Sequence, residues 1–116
     1  MQETWKLKLL STGKSKSIDI QKTLELEHKE LGIFLSYYFK KEGALTENVK
    51  LKGEVNFRSE LSGDFTLDFD LVHFNACLNI HDTAKDEMKI NFELNNGQNE
   101  LNLIGPYFPE RGMDEI

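Results

Sequence analysis

Apolar and polar residues alternate almost without error along two stretches of this chain. These are Asp64-Phe65-Thr66-Leu67-Asp68-Phe69-Asp70-Leu71 and Lys89-Ile90-Asn91-Phe92-Glu93-Leu94. Side chains on a strand point to opposite faces in turn, so this rhythm describes a strand with one dry face and one wet face. The same parity runs through Trp5, Leu7 and Leu9, and through Val49, Leu51, Val55 and Phe57. It also accommodates Ile18, Ile20, Leu24 and Leu26, with Lys22 as a lapse, and then Leu31, Ile33, Leu35, Tyr37 and Phe39. Residues 17–28 and 31–39 are therefore expected to be strands.

The expectation is an all-β, antiparallel domain of about seven to eight strands. Its curved sheet would close into a small barrel or a two-sheet sandwich. One domain is expected over residues 1–105, with 106–116 as a tail after Gly105-Pro106 in which Tyr107 and Phe108 tuck back. Gly53 interrupts an inward row and suggests a bend. Asn96-Gly97 is the strongest local hairpin signal. Residues 64–81 change parity near Leu71-Val72, which reads as a β-bulge in one long strand.

Charge narrows the functional classes. The net charge is −6, but residues 1–58 carry 11 Lys or Arg against 8 Asp or Glu, and residues 59–116 carry 3 against 12. An acidic chain repels phosphate backbones, so nucleic acid is not an expected partner. The longest apolar run, Gly32 to Leu35, is too short to span a bilayer, so no membrane insertion is expected. A single cysteine, Cys77, excludes an internal disulfide and favours a reducing compartment. The start, Met1-Gln2-Glu3-Thr4-Trp5, has no leader pattern. A cytoplasmic location is expected, or a secreted one if a leader has been removed.

Three groups of residues stand out as candidate sites. Asp64, Asp68 and Asp70 share one strand face. Successive ones lie about 7 Å or more apart, too far to chelate one ion closely, and Lys50, Lys52 or Arg58 on a neighbouring strand would answer them. His73, Asn75, Cys77, Asn79 and His81 would line a polar groove on a single strand. Residues four apart there are separated by about 13 Å, so His73, Cys77 and His81 cannot ligate one metal. The same distance separates Cys77 from either histidine and argues against a thiol–base pair. Phe34 and Tyr38 fall on the face opposite the core parity and read as exposed contact aromatics.

A tryptophan on the first strand of a small β protein is a lipocalin-like trait. That signature places Gly two residues earlier, where this chain has Glu3, so no family resemblance is claimed. The leading expectation is a non-enzymatic protein-binding module (an inhibitor, an immunity-type neutraliser or an assembly subunit) without metal or cofactor. It would bind a partner, or itself, through an acidic and partly aromatic sheet surface that includes Phe34, Tyr38, Asp64, Asp68 and Asp70. The alternative is a carrier of a small apolar ligand, lipocalin-like in shape only, with a cavity lined by some of Trp5, Phe57, Phe65, Phe69 and Phe92. An enzyme using His73, Cys77 or His81 ranks third.

Overall fold

A computed structural model describes residues 2–75, 80–95, 97 and 99–108. One antiparallel sheet contains β1 (Thr4–Lys8), β2 (Ala44–Ser59), β3 (Ser62–Asn75), β4 (Ile80–Asn95) and β5 (Glu100–Ile104), in the order β1-β5-β4-β3-β2. Two helices, α1 (Lys16–Leu26) and α2 (His28–Phe39), connect β1 to β2 and pack on one face of the sheet. The antiparallel, sheet-dominated character matches the sequence reading. The count of seven to eight strands and the closed barrel do not, because among the described residues the sheet is open and has five strands.

The expected strands at 17–28 and 31–39 are helices, and the reason is visible residue by residue. The buried positions are Ile20, Thr23 and Leu24 in α1, and Leu31, Phe34, Leu35, Tyr38 and Phe39 in α2. Spacings of three and four make one stripe of a 3.6-residue helix. Ile20 and Leu24 satisfy both periods, which is why parity was deceptive there. In α2 the two periods disagree, and Ile33 and Tyr37 (49% and 42% exposed) show which one holds. Ser15 starts α1 by accepting the Ile18 N–H at 3.2 Å, as an N-cap serine does. Glu27 leaves helical geometry between the two helices.

The core lies between this helical stripe and the inward sheet face. Phe65, Leu67 and Phe69 of β3, Ile90 and Phe92 of β4, and Leu101 and Leu103 of β5 are buried there. Phe65 and Phe92 stack, with centroids 5.9 Å apart, and Phe39 of α2 meets Phe69 at 5.8 Å. Each fully buried ring or leucine contributes about 1.5–3 kcal/mol relative to exposure.

β3 and β4 pair in unbroken register from Ser62 opposite Glu93 to Asn75 opposite Ile80. The bulge expected near Leu71-Val72 is therefore absent, and residues 64–81 form no single strand, since the chain reverses and returns as β4. The bulges sit in β2, where register shifts fall between Glu47 and Lys50 and between Lys52 and Asn56. Asn48 (φ 55°) and Gly53 (φ 74°) occupy the left-handed region at those shifts, so the bend expected at Gly53 has a backbone cause. In the tail, Phe108 packs edge-on against Tyr38 at 5.2 Å, whereas Tyr107 is exposed.

Candidate functional site: a cleft between α2 and the edge strand

β2 is an edge strand, and α2 runs beside its first residues. Gly32 and Ser36, one helical turn apart, form the seam with Thr46. The Thr46 N–H donates to Ser36 Oγ at 3.2 Å, and Thr46 Oγ1 donates to the Gly32 carbonyl at 2.6 Å. Ser36 Oγ donates to that same carbonyl at 2.7 Å and lies 3.1 Å from Thr46 Oγ1. A Cβ on Gly32 would lie 3.5 Å from the Thr46 carbonyl oxygen. The seam thus satisfies an edge N–H that would otherwise seek another strand.

Outside this seam the helix and strand diverge into a cleft of about 770 Å³, within the range of ordinary ligand pockets. Ile33 and Tyr37 form the helix wall, and Leu45 (62% exposed) the strand wall. The turn Lys40–Glu42 and Gly43, at φ 73°, close one end, while His28 and Asn48 lie at the other. Lys29 and Lys40 flank the helix wall, and Glu47 lies on the strand side. Among the described residues neither lysine is in an ion pair, whereas Lys52, Arg58, Lys85 and Lys89 on the opposite sheet face all are.

The acidic residues singled out from sequence lie on that opposite face, where Asp64 and Asp70 are answered by cations. Asp64 accepts from Arg58 Nη1 at 2.6 Å and has Lys89 Nζ at 4.0 Å. Asp70 accepts from Asn48 Nδ2 at 2.8 Å and from Lys85 Nζ at 3.2 Å. The Asn48 hydrogen bond, with Lys85 second, holds the Asp70 carboxyl below its ordinary value of 3.8. Asp68 stands across from Lys50 in the β2–β3 register. Beside Asp68, Lys52 pairs with Glu87 at 2.6 Å, and chiefly that hydrogen bond raises its ammonium above the usual lysine range. This face is a lattice of internal ion pairs.

Phe34 and Tyr38 are core residues and offer no contact surface, at 0% and 7% exposure. Phe34 meets Trp5 and Tyr38 within the core. The Tyr38 hydroxyl donates to the Pro106 carbonyl at 2.9 Å and accepts the Glu3 N–H at 2.8 Å, which ties the two terminal segments together. Burial pushes its phenol above the usual range.

The polar series does not share one strand. His73 and Asn75 belong to β3 and His81 to β4, with His73 opposite Asp82 in register. Cys77 and Asn79 lie outside the described residues. Of the aromatics a carrier would use, Phe65, Phe69 and Phe92 are buried in the core, and Phe57 caps Phe92 edge-on at 5.4 Å. Trp5 packs on Phe34 and Tyr37. Among the described residues, no group of three His, Cys, Asp or Glu is placed to hold a metal, and no helix is long and apolar enough to cross a membrane.

Two-residue parity hides the cleft, because its apolar wall exists only where His28–Phe39 is a helix. The spacing of Lys29, Ile33 and Tyr37, and of His28, Gly32, Ser36 and Lys40, at four residues each was the available signal. No protein-family model matches this chain, and no curated protein or solved structure is significantly similar to it.

Proposed function

We propose that the protein is a non-catalytic binding module that receives an acidic, apolar-bearing segment of a partner protein in the cleft between α2 and β2. The observation that carries this reading is that the exposed Ile33, Tyr37 and Leu45 line one cleft, edged by two lysines that form no ion pair among the described residues. Apolar side chains held open to water in a concave site gain most from being covered. The charge around them selects what covers them. In a chain of net charge −6, a cleft edged by ammonium groups that form no ion pair among the described residues suits a carboxylate-bearing partner.

Geometry refines the partner. Lys29 and Lys40 are eleven residues apart on the helix side of the cleft, or about 16 Å along an α-helix axis. An extended segment covers that span in about five residues. The expected ligand therefore carries two carboxylates about five residues apart, with an aliphatic or aromatic residue between them. Because the Thr46 N–H is already taken by Ser36, recognition at that point rests on side chains and not on strand addition.

Selection of a displayed random-peptide library against the folded protein tests this. Enriched peptides should show the acidic–apolar–acidic spacing and shift the amide resonances of Ile33, Tyr37 and Leu45. The double reversal K29E/K40E should weaken them at least about tenfold, as loss of two interfacial charge pairs does. Selected peptides of no acidic character, or peptides whose shifts map to the Asp64–Asp70 face, would overturn the reading.

A further inference from the structure

The chain leaves β5 toward the cleft. Phe108 packs edge-on against Tyr38 of α2 at 5.2 Å, and the Tyr38 hydroxyl donates to the Pro106 carbonyl at 2.9 Å. Tyr37, the preceding residue on α2, meets Trp5 of β1 at 5.9 Å and also lines the cleft. Phe108 thus stands on the helical side of the sheet, against the sequence neighbour of a cleft-wall residue.

Next in the chain comes Pro109-Glu110-Arg111-Gly112-Met113-Asp114-Glu115-Ile116, outside the described residues. Of the residues outside that description, only this segment carries carboxylates. Its pattern is the one that suits the cleft. Glu110 is followed four and five residues later by Asp114 and Glu115, with Met113 between them. Extended, Glu110 to Glu115 spans about 17 Å, which matches the span of about 16 Å from Lys40 to Lys29. The direction agrees as well. Glu110 lies two residues, or about 7 Å, past Phe108. Lys40 lies two residues past Tyr38, at the end of the cleft nearer that contact. For the segment's one cation, Arg111, the strand side of the cleft offers Glu47. Lys6 and Lys8 of β1 are no substitute, because they alternate with the buried Leu7 and stand on the far face of the sheet.

We propose that residues 109–116 dock in the cleft between α2 and β2 of the same chain. Glu110 then meets Lys40, Met113 covers Ile33, Tyr37 and Leu45, and Asp114 or Glu115 meets Lys29. This rests on the reading of the cleft as a receptor for acidic, apolar-bearing segments, and it makes that receptor self-gated, since a partner must displace the chain's own segment. A short tether holds a segment at an effective concentration of about 1 mM. A segment that alone binds at about 100 μM then fills the cleft about nine-tenths of the time, and a competing peptide binds about tenfold more weakly.

Carbodiimide coupling of the full chain at micromolar concentration tests the docking without any partner, because it joins a lysine amine to a carboxylate only where the two touch. Peptide mapping of the monomeric fraction should find Lys40 joined to Glu110, and Lys29 joined to Asp114 or Glu115. The full-chain variant E110K/D114K/E115K should shift the amide resonances of Ile33, Tyr37 and Leu45 with no peptide present. It should also bind a library-selected peptide about tenfold more tightly than wild type. Absence of those links with unshifted cleft amides would overturn the docking, as would links confined to covalent dimers. Selected peptides that bind wild type and the triple variant equally in the cleft would overturn the docking and uphold the partner reading. The expected links and shifts, with no library peptide captured by the triple variant, would uphold the docking and overturn the partner reading.

Discussion

Replacing Ser36 by alanine removes one oxygen from the seam and tests whether α2 is tied to the sheet edge as described. Ser36 Oγ is the acceptor for the Thr46 N–H at 3.2 Å, and Thr46 is buried. Without it that donor has no protein partner, at a cost of about 1–3 kcal/mol. The Gly32 carbonyl keeps the Thr46 hydroxyl at 2.6 Å, so its loss is minor. Alanine is the better helix former by about 0.5 kcal/mol, which offsets part of the cost. The net expectation is about 0.5–2.5 kcal/mol of destabilisation, centred near 1.5. For a domain this size that corresponds to a fall in Tm of about 6 °C. Urea unfolding followed by the fluorescence of Trp5, the single tryptophan, measures it, with Ile33→Ala as the exposed control on the same helix. Native-state hydrogen exchange should show the Thr46 amide losing protection more than its neighbours. A Ser36→Ala protein within about 0.3 kcal/mol of wild type, with Thr46 protection unchanged, refutes the seam.

Other consequences are as direct. Gly63→Ala places a Cβ where the Asn56 carbonyl oxygen and the Phe92 ring already sit. Because backbone must move, a loss of about 3 kcal/mol or more, or failure to fold, is expected in denaturant titration. Tyr38→Phe strands the Glu3 N–H and the Pro106 carbonyl, and chemical denaturation should register about 1–3 kcal/mol. The Tyr38 phenol is raised by burial, so its contribution is complete below the unfolded tyrosine value near 10 and lost as pH rises through the higher folded value. Tyr38→Phe should therefore flatten the alkaline limb of the stability profile. Asp70 is held below 3.8, so its contribution is present above that value and lost as pH falls through the lower folded value. The stability difference between wild type and Asp70→Asn should shrink on acidification, and a difference independent of pH would contradict the Asn48 and Lys85 contacts.

The legible part of the fold was the part where one period admits one reading. Phe65, Leu67 and Phe69 alternate with Thr66, Asp68 and Asp70, no helical stripe passes through them, and they are strand in the structure. Of the cations expected to answer the aspartates, Arg58 pairs with Asp64, whereas Lys52 pairs with Glu87, and the remaining partners, Lys85 and Lys89, come from β4. Residues 17–39 were illegible by parity because Ile20 and Leu24 are spaced by four, a multiple of two that is also close to one helical turn. The Ser15 cap and the pair Phe34 and Tyr38, off parity yet spaced by four, were the local evidence for helix. The cleft followed the same fate, since its apolar wall exists only when Ile33 and Tyr37 share a helix face.

By itself the sequence determined which faces of β3 and β4 are dry, the hairpin between β4 and β5 and the bend at Gly53. These depend on residues near in sequence, where side-chain alternation and left-handed backbone tolerance act over a few bonds. Tertiary structure alone decided that α2 covers the sheet, that Phe34 is interior while Ile33 is exposed, that Lys29 and Lys40 have no carboxylate partners among the described residues while Lys85 is paired, and that β4 outruns β5. Those outcomes depend on which surfaces meet across the chain. Helix and strand propensities differ by tenths of a kcal/mol per residue, whereas burying one aromatic ring is worth several times more, so packing has the final word.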